Sequence, residues 1–220
     1  APSHTMPVIP PGEPTPEDNV HPEAKSIIES MKEPIIEFHK EVGGKVKSIH
    51  DLLNTVAMTN GKPPFPPQAV AFLLNLKEEQ VKQEGGPTCE EDQLLDCFAK
   101  LVPKGDTPEI FEEKVISHVK EGVKRVKHAN KTFPELEPLL TGLHEKKEGD
   151  AEKLYAWFKD LLPEEGKDGF PKEAFMAVVM GVDPKESIIP LKAFLNGIKA
   201  NMDESDTVEK LSPIISKHME

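Results

Sequence analysis

The chain has 220 residues, of which 37% are hydrophobic, only 5% aromatic and 30% charged, with a formal net charge of -12. A polyanionic surface repels nucleic-acid phosphates and anionic headgroups, which excludes a nucleic-acid binder and a polybasic membrane patch. No run approaches the roughly 18 apolar residues that span a bilayer, and the length allows one or two domains.

The 22 prolines serve as boundary markers, because proline has no N–H and clashes inside a helix. Pro2, Pro7, Pro10, Pro11, Pro14 and Pro16 without apolar periodicity make residues 1–20 an extended, Pro-rich arm. From Pro22 the spacing of Ile27, Ile28, Met31, Ile35 and Ile36 predicts a helix kinked at Pro34 and ended at Gly43-Gly44. Val46, Ile49, Leu52, Leu53 and Val56 predict a helix over 45–58, stopped by Asn60-Gly61. Ala69 to Leu76 is apolar almost all round, as in a helix buried on most sides.

Beyond Gly85-Gly86-Pro87, Thr88 with Glu91 has the spacing of a capping box, opening a helix with Leu94, Leu95, Phe98 and Leu101. Thr107 and Pro108 start a longer helix with the stripe Ile110, Phe111, Val115, Val119, Val123 and Val126. Its run Lys120 to Lys127 reads as a solvated basic face. Pro134, Pro138 and Gly142 make 131–147 a connector with at most one short helix. Asp150 opens a helix bearing Leu154, Trp157, Phe158, Leu161 and Leu162, and Pro171 to Met180 is again apolar nearly all round. Asp183-Pro184 starts a helix with Ile188, Ile189, Leu191, Phe194, Leu195 and Ile198, and a last one spans about 205–218.

Two loops read alike 105 residues apart: Gly61-Lys62, Phe65-Pro66 and Ala69 answer Gly166-Lys167, Phe170-Pro171 and Ala174. Phe98, Leu101 and Pro103 answer Phe158, Leu161 and Pro163 more loosely, 60 residues apart. The expected fold is therefore all-α, an orthogonal or irregular bundle of about eight helices built from repeated helix-loop-helix units behind the Pro-rich arm. Residues 21–220 form the helical domain, with sub-units at 21–86, 87–147 and 148–220. Phe65 or Phe170 before its proline can staple the entry of the apolar helix that follows.

The phrase from Lys167 to Phe175 resembles the second half of an EF-hand loop, with Asp168, Gly169 and Phe170 at positions 5, 6 and 7. Position 1 would be Glu164, position 3 Gly166 and position 12, which needs a bidentate Glu, Phe175, so tight calcium binding is not expected. His4, His21, His39, His50, His118, His128, His144 and His218 show no metal-ligand spacing and read as surface or cap residues. No metal, cofactor or catalytic residue is assigned, because no phosphate loop, nucleophile elbow or dinucleotide fingerprint occurs.

Cys89 and Cys97 are too few for a disulfide scaffold and, along one helix, would stand about 12 Å apart. Cys97 reads as a small buried group and Cys89 as a free thiol near a helix start, or as an inter-chain link. The arm and the sequon Asn130-Lys131-Thr132 suit a secreted protein. The expected function is binding without catalysis: carriage of a hydrophobic, lipid-like small molecule, or docking of a protein partner, without nucleic acid. Phe72, Leu76, Phe111, Trp157, Phe158, Phe175, Val179 and Phe194 are the candidate ligand-binding residues, with Trp157, Tyr155 and Phe158 as anchors near a helix surface. The alternatives are a structural, self-associating extracellular protein forming homo-oligomers, a degenerate EF-hand-like regulatory module, and an enzyme of unrecognised type.

Overall fold

The computed structural model describes residues 20–220, and the predicted N-terminal arm lies outside them but for Val20. Regular structure among the described residues is helical, apart from two isolated antiparallel bridges, Lys45 with Thr88 and Asp150 with Ile188. The chain divides into two compact units, one reaching to Val123 and one running from Lys124 to Glu220.

The first unit holds α1 (Pro22–Ser30), α2 (Lys32–Glu41), α3 (Val46–Thr59), α4 (Pro67–Leu73), α5 (Glu78–Val81), α6 (Glu91–Leu101) and α7 (Pro108–Phe111). A π-helical segment, Glu112–Ile116, follows and leads into α8 (Ser117–Lys146). The expected kink at Pro34 is instead a break at Met31. Pro34 is the third residue of α2, where its missing N–H would have had no helical partner. α1 and α2 both pack on α6, whose Leu94, Cys97 and Phe98 are fully buried.

Thr88 does not cap α6: it lies in the bridge to Lys45, and its hydroxyl donates to Gln83 Oε1 at 2.6 Å. The N-cap is Glu90, whose N–H donates to Gln93 Oε1 at 2.8 Å, so the reciprocal spacing is present two residues further on. Thr107 caps α7 as expected, accepting from the Ile110 N–H at 3.3 Å, although Ile110 itself is exposed.

In the second unit α8 runs unbroken to Lys146, which corrects the predicted connector at 131–147. Pro134 and Pro138 lie inside the helix, each costing about 3 kcal/mol in an ordinary helix interior. Phe133, Leu136, Leu140 and Leu143, spaced three and four apart, are all buried; at about 1.5–3 kcal/mol per large apolar side chain this burial outweighs both prolines. α9 (Ala151–Leu161) begins at Asp150, whose carboxylate accepts from the Lys153 N–H at 3.0 Å. After α10 (Glu164–Lys167), α11 (Lys172–Ala174) passes into a second π-helical segment, Phe175–Val179. α12 (Leu191–Ala200) starts behind Pro190 rather than at Asp183-Pro184, which forms a turn. Ile188 and Leu191, expected in its stripe, are exposed. α13 (Val208–His218) closes the chain and packs on α9.

One set of long-range bonds occurs in both units. His39 Nε2 donates to Cys89 O at 2.7 Å, and His144 Nε2 to Ile189 O at 2.6 Å. His50 Nε2 donates to Phe65 O at 2.5 Å, and the Tyr155 hydroxyl donates to Phe170 O. Gly44 and Gly149, both at φ 67°, sit under the first pair of histidines. A Cβ on Gly44 would lie 2.7 Å from Cys89 O, and one on Gly149 3.1 Å from Ile189 O. Thr207 caps α13 as Thr107 caps α7.

The stretch from Pro171 to Gly181, which contains the π segment, is one residue longer than the stretch from Pro66 to Asn75, which contains α4. The left-handed residue that ends the turn is Asn75 in the first unit and Gly181 in the second, 106 residues on rather than 105.

Candidate ligand cavity

The second unit contains a cavity of about 230 Å³ between the C-terminal end of α9, α12, and the turn that leads into α13. Its apolar lining comes from Phe158, Leu161, Leu162, Ile198, Met202 and Leu211. The spacing of these residues explains why they converge. Phe158 is buried and Leu161 half-buried, one turn apart on α9, and Ile198 lies on the buried stripe of α12 with Phe194.

The rim is polar: Asn201, Asp203, Ser205, Asp206 and Lys210. The turn holds these groups through its own backbone. Asp203 Oδ1 accepts from the Ser205 N–H at 2.8 Å and from the Ser205 hydroxyl at 2.5 Å. The hydroxyl bond favours the charged form and holds the Asp203 carboxyl below its ordinary range. Asp206 Oδ2 accepts from the Asp203 N–H at 2.9 Å, and Lys210 Nζ stands 3.6 Å from Asp206 Oδ1. His128 on α8 clamps the turn, donating from Nε2 to Asp206 O at 2.6 Å.

The eight predicted ligand residues are divided between the two units. Phe72, Leu76 and Phe111 belong to the first unit, where Phe72 is exposed, Leu76 half-buried and Phe111 fully buried. Trp157, Phe158, Phe175, Val179 and Phe194 share the core of the second unit, and of these Phe158 lines the cavity. Trp157 and Phe194 meet edge to face at 5.6 Å, and Phe158 and Phe175 rings lie 4.9 Å apart. Trp157 is only 1% exposed. The expectation of surface anchors is therefore corrected for Trp157 and Phe158, which lie on the inward stripe of α9; Tyr155 is half-buried and clamps Phe170.

The segment that resembles an EF-hand loop is a turn closed by that tyrosine. Glu164 Oε1 accepts from Lys167 Nζ at 2.8 Å, and Phe175 is fully buried. Among the described residues, no group of three or more His, Cys, Asp or Glu side chains is placed to hold a metal ion together. Both cysteines are unpaired and buried. Burial pushes the Cys89 thiol up to about 11 and the Cys97 thiol up to about 12.

Sequence reasoning missed the histidine clamps and most of the rim. His39 and His144 stand 105 residues apart, each five residues before a left-handed glycine, the same interval that relates the two Phe-Pro loops. That coincidence was a usable signal. The rim residues carried none, since Asp and Ser before a helix ordinarily denote capping.

The chain matches no known family, no curated protein and no solved structure. No helix among the described residues is long and apolar enough to cross a membrane.

Proposed function

We propose that this is a binding protein that takes up a small, mainly apolar molecule in the cavity of its second unit. The observation that carries the reading is the cavity itself, apolar inside and polar at the mouth, about 230 Å³ in volume. A dry apolar cavity on the order of 150 Å³ admits benzene. The present one suits a molecule roughly half as large again, and falls short of the roughly 300–1,000 Å³ typical of drug-sized ligands. The ligand is thus a short amphiphile rather than a long-chain lipid. The polar lining groups bond one another around the turn, without a histidine paired to Ser205, and this favours binding over catalysis.

The test replaces Ile198, a cavity-lining residue 5% exposed, with the larger phenylalanine. Ligands with a six- to eight-carbon chain are titrated while the emission of Trp157, the sole tryptophan, is followed. Binding to the parent chain and its loss in Ile198→Phe, with helicity retained, supports the site. Equal binding by both proteins overturns it.

We further propose that the two units are copies of one helical fold of about 100 residues, the repeated histidine clamps and threonine caps being its shared skeleton. An extracellular setting belongs to the same proposal. Asn130 is exposed on α8, and the glycan expected there would appear as a mass lost from the natural protein on enzymatic deglycosylation.

A further inference from the structure

We infer that the cavity of the second unit selects an amphiphile with a cationic, protonated-amine head over one with a carboxylate head. The inference rests on the cavity being a ligand site, and adds the charge of the ligand. Its first support is the composition of the mouth. Two carboxylates, Asp203 and Asp206, stand there against one ammonium, Lys210, and that ammonium faces Asp206 Oδ1 at 3.6 Å. The cation is already partnered, so an incoming carboxylate would have to displace Asp206 from it and lie beside two like charges. An incoming ammonium instead meets acceptors. Asp203 accepts from the N–H and the hydroxyl of Ser205 on Oδ1, and a protonated amine at the mouth would donate to its second oxygen.

The second support comes from the same turn in the first unit. There Asp106 N donates to Pro103 O at 3.1 Å, as Asp206 N donates to Asp203 O at 3.0 Å, and Thr107 caps the following helix as Thr207 does. Counting 100 residues back, Asn201, Asp203, Ser205 and Lys210 are answered by Leu101, Pro103, Gly105 and Ile110. Asp206 is answered by Asp106 and belongs to the turn itself, whereas the turn and its cap are built in the first unit without counterparts of Asn201, Asp203, Ser205 and Lys210, so Asp203 is the acid the fold does not require. Beside a cavity with an apolar interior they form a mouth of their own. The formal charge of -12 adds a long-range field of the same sign preference.

The experiment compares octylamine, octanol and octanoate, equal in chain length and different in head, on the full chain at about pH 7 and low salt, read by Trp157 emission and by calorimetry. The amine is expected to bind roughly three- to tenfold more tightly than octanoate, with octanol between them, and the difference should shrink as salt screens the mouth. Asp203→Asn should weaken octylamine severalfold more than it weakens octanol, and so narrow the preference between the two heads. Octanoate binding as tightly as octylamine, or a preference untouched by Asp203→Asn, overturns the charge inference while leaving the cavity standing. Failure of all three to bind, or binding unaffected by Ile198→Phe, ends the cavity reading and this inference with it.

Discussion

Cys89 illustrates how burial decides what a side chain can do. Ahead of a helix start it had the position of an available thiol, yet it is 4% exposed and its carbonyl accepts the His39 clamp. Desolvation disfavours the thiolate and raises the pKa to about 11, so at pH 8 nearly all of it is protonated as well as covered. Cys97, fully buried and raised to about 12, is protected further. Neither thiol should react with a disulfide reagent at pH 8 in the native chain, and both should react in denaturant. Rapid labelling of one native thiol would contradict the burial and reopen an inter-chain link through Cys89. Gly197 shows the reverse case of a residue chosen for its small size: a Cβ there would lie 2.4 Å from Val179 O, so α12 approaches the π segment as only glycine allows.

Among the helices, α8 departs furthest from what its residues suggest locally. Pro134 is exposed and contributes little packing, yet it removes the N–H that would bond the carbonyl of Asn130. Pro134→Ala should therefore raise stability by about 1 kcal/mol or more, the gain being limited by the greater freedom the alanine gives the unfolded chain. The urea midpoint followed by helicity measures this, and a lower midpoint would mean that the proline is needed where it stands. The stripe of α8 was readable up to Val126, and it continues through Ala129, Phe133, Leu136, Leu140 and Leu143. The prolines concealed that continuation. By contrast the end of α3 and the start of α9 were legible almost to the residue, since Asn60-Gly61 and Asp150 are local signals that no distant contact has to supply, while α13 starts at Val208 rather than at about 205.

At the level of the molecule, the two units set up a paired experiment. His39→Ala and His144→Ala each release one buried main-chain carbonyl, that of Cys89 and that of Ile189. Each should cost about 1–3 kcal/mol, the penalty for a buried acceptor left unpartnered. Comparable losses in the two variants, measured by denaturation followed by circular dichroism, support one fold used twice. A large loss at one histidine and none at the other would count against it. Because the sole tryptophan and the sole tyrosine both lie in the second unit, Trp157 emission reports that unit alone. The candidate cavity was not legible in advance, since of the eight residues chosen for their aromatic or apolar character one, Phe158, lines it. Large apolar side chains mark a core at least as readily as a ligand site.

Helical class, several boundaries signalled by caps and glycines, and the Phe-Pro interval of 105 residues followed from the order of residues alone. These are short-range properties, set by periodicity and by backbone donors within a turn or two. The persistence of α8 through two prolines, the histidine clamps spanning 45 and 50 residues, the concealment of Cys89 and the cavity beneath Asp203 and Asp206 were decided only by the folded chain. Each depends on partners far apart in sequence, and the free energy of such contacts belongs to the packing rather than to any local pattern.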